Sequence, residues 1–298
     1  MIRRRLTSDF GELGRVGSRV PDVRFLTLGL SIAALALPLS MAEAEEPLYG
    51  GLTNGRVFKV GNTVRRPAGD WTPTIQALLS HLRSKGFPCP EPLGLDDKGR
   101  EVLSYLSGVA SKHPWPPALL ATSGAHQVGA MLRTYHEAVS DFVPLSPAIW
   151  CHGRQELAPG EVVLHGDFGP HNLIWTGDRL SGVIDFELAR PGLPEEDAVF
   201  AALRVTHLRP DEMARAVGFD GIPDRRARLE AFADGFGISP THILTRACAV
   251  QEAELERITR LGGAAIEPWA TFLRRGLDNQ VRLELDWLER NLPKMLPA

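Results

Sequence analysis

Val162-Val163-Leu164-His165-Gly166-Asp167-Phe168-Gly169-Pro170-His171-Asn172-Leu173-Ile174-Trp175 is the stretch from which the rest of the chain is read. An apolar run at 162–164 leads into a polar turn, and a second at 173–175 leads out of it. The pattern predicts two short strands joined by a loop. That loop carries a carboxylate, Asp167, and a carboxamide, Asn172, five positions apart. Thirteen residues beyond Asn172 stands Asp185, at the end of the apolar run Gly182-Val183-Ile184.

Asp, four residues, Asn, a turn, then a strand ending in Asp is the order of a protein-kinase catalytic loop and its metal-binding Asp. Phosphoryl transfer needs an acceptor hydroxyl held in line with the γ-phosphate and a cation on the phosphate oxygens. A carboxylate such as Asp167 can orient the hydroxyl and accept its proton. An amide oxygen on Asn172 and a carboxylate on Asp185 are the hard ligands Mg²⁺ prefers. His165-Gly166-Asp167 with Asn172, followed by Ile184-Asp185-Phe186, resembles the aminoglycoside phosphotransferase family of small-molecule kinases. Gly166 stands where eukaryotic protein kinases carry Arg, which favours the small-molecule branch.

The resemblance implies an α+β, two-lobed, protein-kinase-like fold with a small antiparallel-sheet lobe and a mainly helical lobe. It implies ATP and Mg²⁺ as cofactors, Asp167 as catalytic base and Asn172 and Asp185 as metal ligands. The implied partner is a small-molecule hydroxyl acceptor: an aminoglycoside, an amino-alcohol or a sugar. The expected divisions are an N-terminal extension or signal-like segment over 1–46, a nucleotide lobe over 47–108 and a catalytic and acceptor lobe over 109–298.

Composition agrees with an enzyme and narrows the alternatives. The 298 residues are 44% apolar and 23% charged, with a net charge of −3. No basic stripe stands out in the region beyond the leader, so nucleic acid is not an expected partner. The three cysteines, Cys89, Cys151 and Cys248, are odd in number and widely spaced, unlike a disulfide framework or a metal knuckle. They read as reduced thiols of a cytoplasmic protein, a monomer or homodimer with no stable membrane association.

The leader complicates that reading. Arg3-Arg4-Arg5 precede an apolar run from Phe25 to Leu39, and Ala42-Glu43-Ala44 resembles a cleavage site. Read literally this is a secretory signal peptide, whereas ATP chemistry belongs inside the cell. Met41 offers an alternative start, which would make residues 1–40 an upstream extension.

Within the expected nucleotide lobe, Gly50-Gly51 and Asn54-Gly55 bracket a turn that could cover phosphates, since backbone N–H groups of a glycine-containing hairpin approach anions closely. Val57–Val60 and Thr63–Arg66 read as strands around the Gly61-Asn62 turn. In kinase-like folds the third strand carries a cation for the phosphates. Alternation places Arg65 with Thr63 on the pocket face, with Arg66 as the alternative if the register shifts by one. Thr72-Pro73 starts a helix bearing Ile75, Leu78, Leu79 and Leu82. Relatives carry an acid on that helix to hold the strand cation, and the nearest equivalent here is Gln76. Glu101–Leu106 resembles the inter-lobe hinge strand, where Ser104 and Leu106 would meet adenine.

Further along, Thr122 or Ser123 caps a helix carrying Val128, Met131, Leu132, Tyr135 and Val139. His136 and His165 read as structural, and the role of His171 is open. Trp150 either covers the acceptor cleft or anchors its loop. Glu187, two residues beyond Asp185 on a segment read as extended, could assist a second Mg²⁺. Glu195-Glu196-Asp197 begins a helix; Asp197 reads as a brace, and these acids could attract a cationic acceptor. Helices are expected over about 225–235, 240–261 and 267–291, with acceptor specificity among them. The Gln76 and Arg65 departures also keep open a nucleotide-binding pseudokinase with a regulatory role.

Overall fold

The computed structural model describes residues 44–48 and 56–296. The signal-like leader, Met41 and the turn residues Gly50, Gly51 and Asn54 lie outside the described residues.

The chain opens with β1 (Glu45–Pro47), β2 (Phe58–Val60) and β3 (Thr63–Arg66), followed by α1 (Thr72–Ser84), β4 (Pro92–Leu95) and β5 (Glu101–Ser104). These strands form an antiparallel sheet in the order β1-β2-β3-β5-β4. α1 starts at Thr72-Pro73, where a proline lacks only an amide that a first turn leaves unpaired. Thr72 is itself helical; its hydroxyl accepts the Gly69 amide instead of capping the helix. Ile75, Leu78, Leu79 and Leu82 are fully buried along one face. Each such burial stabilises by about 1.5–3 kcal/mol relative to exposure.

A short β6 (Val109–Ala110) and α2 (Pro117–Leu120) lead to α3 (Thr122–Val139). The extended residue before that helix is Ala121, so neither Thr122 nor Ser123 caps it. A hairpin follows, β7 (Ile149–Trp150) and β8 (Gly153–Arg154). Trp150 is buried and donates its indole N–H to the Gln155 carbonyl at 2.8 Å, which makes it the loop's anchor.

Next come β9 (Val162–Leu164), β10 (Leu173–Thr176), β11 (Arg179–Val183) and β12 (Arg190–Gly192). β9 pairs with β12 and β10 with β11, both antiparallel. These two pairings aim the 165–172 loop and the 184–189 segment at one place.

The remainder is helical: α4 (Pro194–Val205), α5 (Glu212–Val217), α6 (Arg225–Phe236), α7 (Pro240–Gly263), α8 (Trp269–Arg274) and α9 (Leu277–Met295). The single helix expected over 267–291 is two, because Gly276 adopts φ 73° and ends the first turn of packing before α9 begins. α3 and α6 approach so closely that a Cβ on Gly129 would lie 2.2 Å from the Phe232 carbonyl oxygen, and one on Gly235 as close to that of His126. Their contact, with α1 and the strand pairs around it, forms one continuous apolar core. A sheet at one end and helices at the other make this an α+β kinase-like architecture.

Candidate active site

β9 ends at Leu164 and delivers His165, Gly166 and Asp167. His165 is fully buried. Its Nε2 lies 3.1 Å from the Ile184 carbonyl, and its Nδ1 accepts the Asp167 amide at 3.3 Å. Donor at Nε2 and acceptor at Nδ1 describe one neutral tautomer, and burial lowers the pKa of the ring in keeping with that. His165 is a strut joining the two loops.

Gly166 has φ 78°, and a Cβ there would stand 2.1 Å from the Leu188 carbonyl oxygen. No side chain fits, which explains glycine at this position. Asp197, buried at the start of α4, accepts the His165 amide at 2.7 Å and the Gly166 amide at 3.1 Å. His136 Nε2 stands 3.5 Å from the same carboxylate. Burial alone would raise the pKa of Asp197, but His136 and the donated amides bring it below the usual carboxylate value. The charged form therefore braces the loop.

Asp167 faces a cavity of about 450 Å³ between the loop and the C-terminal helices. Its Oδ2 is 2.8 Å from His171 Nε2 and 3.1 Å from Asn172 Nδ2. Burial opposes ionisation, but His171 and then Arg204 more than offset it and hold the carboxyl below its ordinary pKa. The same pairing raises His171. Local spacing could have suggested this dyad, since the two residues are four apart, but the geometry rests on the single helical turn at Pro170–Asn172.

Asn172 also donates to the Asp167 carbonyl at 2.9 Å, so its amide oxygen points away from Asp167. Asp185 sits in a left-handed conformation, φ 68° and ψ 63°, a strained backbone that costs about 1–3 kcal/mol and that structures tend to keep at functional sites. Its carboxylate is 2.9 Å from Arg66 Nη1. Glu187 follows in a tight helical turn, not the extended segment expected. Repulsion from Asp185, with burial, pushes Glu187 up to about 7. Two mutually repelling carboxylates suit a hard cation, which would relieve that repulsion, and Asn172 is held to the same segment through its backbone carbonyl, which accepts the Ile184 amide at 2.9 Å. Among the described residues no group of three or more His, Cys, Asp or Glu forms a metal cage. Mg²⁺ does not require one, because it keeps several waters and binds substrate phosphates.

The strand cation differs from expectation. Alternation does put Arg65 with Thr63, 2.5 Å from its hydroxyl, but that face leads to Asp96 and not to Asp185. Arg66 is the buried guanidinium, 2.5 Å from Glu101 Oε2 on the neighbouring strand β5. Burial works against its charge, and Glu101, Asp185 and Glu187 restore it. Gln76 reaches neither arginine; its side chain donates to the Gly94 carbonyl at 3.1 Å. Glu101, which sequence reasoning passed over, supplies the acid from the sheet. Ser104 is engaged with β4's approach, its amide donating to the Glu91 carbonyl and its hydroxyl accepting the Glu91 amide. Leu106 is half-buried and lies against Gly182.

The acids at the start of α4 are also occupied. Glu195 pairs with His242 and Arg246, and Glu196 with Arg190. They are not free to attract a cationic acceptor.

Comparisons with known proteins bear on the fold and the family. Residues 145–232 match the model of the phosphotransferase enzyme family. The trifolitoxin immunity protein of Rhizobium leguminosarum bv. trifolii is 32% identical over 195 residues, covering 64% of this chain and 72% of that protein. A homoserine kinase of Granulibacter bethesdensis is 31% identical over 159 residues, covering 39% of this chain and 48% of the kinase. The chain thus spans about half the length of that relative. Among solved structures, the amicoumacin kinase hAmiN, in complex with AMP-PNP, Ca²⁺ and Ami, shares the fold with a TM-score of 0.54 at 10% identity, covering 85% of this chain and 89% of that one. The loop that joins Asp167 to Asn172, the placement of Asp185 and these likenesses lead to one conclusion: the chain belongs to the phosphotransferase enzyme family.

Proposed function

We propose that the protein transfers the γ-phosphoryl group of ATP to a hydroxyl of a small molecule. The observation that supports this reading is the meeting of two loops: Asn172 donates to Asp167, the Ile184 amide next to Asp185 donates to the Asn172 carbonyl at 2.9 Å, and Arg66 reaches Asp185. Asp167 orients the acceptor hydroxyl and takes its proton, and its lowered pKa keeps it ionised for that role. Asn172 and Asp185 would hold Mg²⁺, which would neutralise charge on the phosphate oxygens. Arg66, in the role first expected of Arg65, is the phosphate cation, and Glu101 fixes its direction. Gly50, Gly51 and Asn54 would cover the phosphates, and the chain at Leu106 would meet adenine. The nucleotide would lie under the sheet at 47–108 and the acceptor among the helices of 109–298.

ATP dependence favours a cytoplasmic site of action. Among the described residues no helix is long and apolar enough to cross a membrane. The pseudokinase reading loses its motive, because Arg66 and Glu101 answer the Arg65 and Gln76 departures. The relatives' names suggest two kinds of acceptor, a toxin to be inactivated or a metabolite such as homoserine.

Acceptor-dependent ADP release by the full-length chain with Mg-ATP tests the proposal. Asp167→Asn is expected to lower kcat by about 10²- to 10⁴-fold. Equal rates in the variant would remove Asp167 as base.

A further inference from the structure

The cavity in front of Asp167 has an uneven charge inventory. Its acids are each matched already. Asp167 has His171 at 2.8 Å. Glu284 has Arg209 at 3.4 Å and accepts from Gln251 and Gln280. Glu254 is ion-paired with Arg257.

Two arginines on the same cavity have no such match. Arg204, from the last turn of α4, donates to the Phe200 carbonyl at 3.2 Å and stacks its guanidinium on the Phe200 ring. Among the described residues it has no carboxylate within ion-pair distance, so most of its five N–H donors are unengaged. Arg275, between α8 and α9, makes no ion pair or side-chain hydrogen bond among the described residues, and its side chain is exposed at the cavity rim. Arg209 lines the same cavity, with its Nε committed to Glu284 at 3.4 Å.

A guanidinium that only packs in a core has its donors satisfied; Arg228 shows this, giving its donors to the carbonyls of Leu119, Leu120, Ala121 and Val205. Arg204 is different. Its guanidinium makes one side-chain hydrogen bond among the described residues, to the Phe200 carbonyl, and otherwise lines the cavity. Guanidinium forks match the geometry of carboxylate and phosphate.

From these residues we infer that the acceptor carries an oxyanion, a carboxylate or phosphate, beside the hydroxyl that Asp167 faces, and that Arg204, with Arg209 and Arg275, holds it. The inference rests on the phosphotransferase reading and narrows it. A polycationic acceptor would set its charge against these arginines, with no unmatched acid to receive it.

The test uses the full chain, Mg-ATP and matched acceptors that differ in the anion: L-serine against ethanolamine, and glycerate and glycerol 3-phosphate against glycerol, with kanamycin as the polycation. ADP release gives kcat/KM, and calorimetry gives binding in the presence of Mg-ADP. The anionic member of a pair is expected to bind or react better by about 10- to 100-fold. Arg275→Gln, at an exposed position that leaves the core intact, and Arg204→Met are expected to erase that preference, with Arg204→Lys retaining part of it. Whether serine and glycerate or glycerol 3-phosphate gains distinguishes carboxylate from phosphate. Equal or better use of ethanolamine, glycerol or kanamycin overturns the inference. So does an anion preference untouched by either substitution, or the absence of any anion binding while acceptor-free ATP hydrolysis proceeds. Failure to bind or hydrolyse nucleotide at all overturns the phosphotransferase reading itself and this inference with it.

Discussion

Gly166 shows how much one residue can carry. Its positive φ and the Leu188 carbonyl 2.1 Å from where a Cβ would stand leave room for hydrogen alone. Gly166→Ala is expected to destabilise the loop by at least about 1–3 kcal/mol, from the backbone conformation alone. A lower melting temperature with lost turnover checks this; an unchanged melting curve would contradict it. His171 makes a second prediction at this scale. It lowers the pKa of Asp167, so removing it must let that pKa rise, because burial then acts with less opposition. His171→Gln should therefore move the acidic limb of the kcat/KM profile to higher pH, and an unmoved limb would separate His171 from the base. Asp167, Asn172 and Asp185, the residues proposed for catalysis and metal binding, were singled out by their spacing in the sequence. The His171 dyad was not, since it depends on how tightly 170–172 turns.

Among the elements, β3 and β5 are the instructive pair. A strand's alternation predicts that Arg65 and Arg66 face opposite ways but not which of them faces the cleft. Packing decides that: Val64, on the same side as Arg66, packs against the core, and Arg66 sits opposite Glu101 in the pairing. The acid that holds the cation thus comes from the sheet and not from α1. Glu101→Gln leaves a buried guanidinium with a weaker partner and is expected to cost about 1.5–3 kcal/mol. KM for ATP should rise as Arg66 loses its direction. Unaltered denaturation midpoint and unaltered KM together would contradict the assignment. Helix positions were mostly legible, since apolar spacing at 75–82 and 128–139 is a local property. The break between α8 and α9 was not, because the apolar stripe continues across Gly276.

For the molecule as a whole, the sheet is tied to the segment after β11 by the Arg66–Asp185 ion pair, whose partners are 119 positions apart in sequence. A ligand that engages both sides should stabilise the fold by mass action, about 2.7 kcal/mol at a concentration 100 times its Kd. Mg-ATP is expected to raise the melting temperature above that with ATP alone, and Asp185→Asn to remove the difference; an equal rise in the variant would argue against Asp185 as a metal ligand. The amino-acid sequence by itself carried the family resemblance that implies the kinase-like fold, and the spacing that singles out Asp167, Asn172 and Asp185, because a short motif is a local property of the chain. Only the tertiary structure decided that Arg66 and Glu101 form the cation pair, that the α4 acids are occupied, and that Arg204, Arg209 and Arg275 gather before Asp167. Those outcomes depend on which faces of distant elements meet, and neither periodicity nor spacing carries that information.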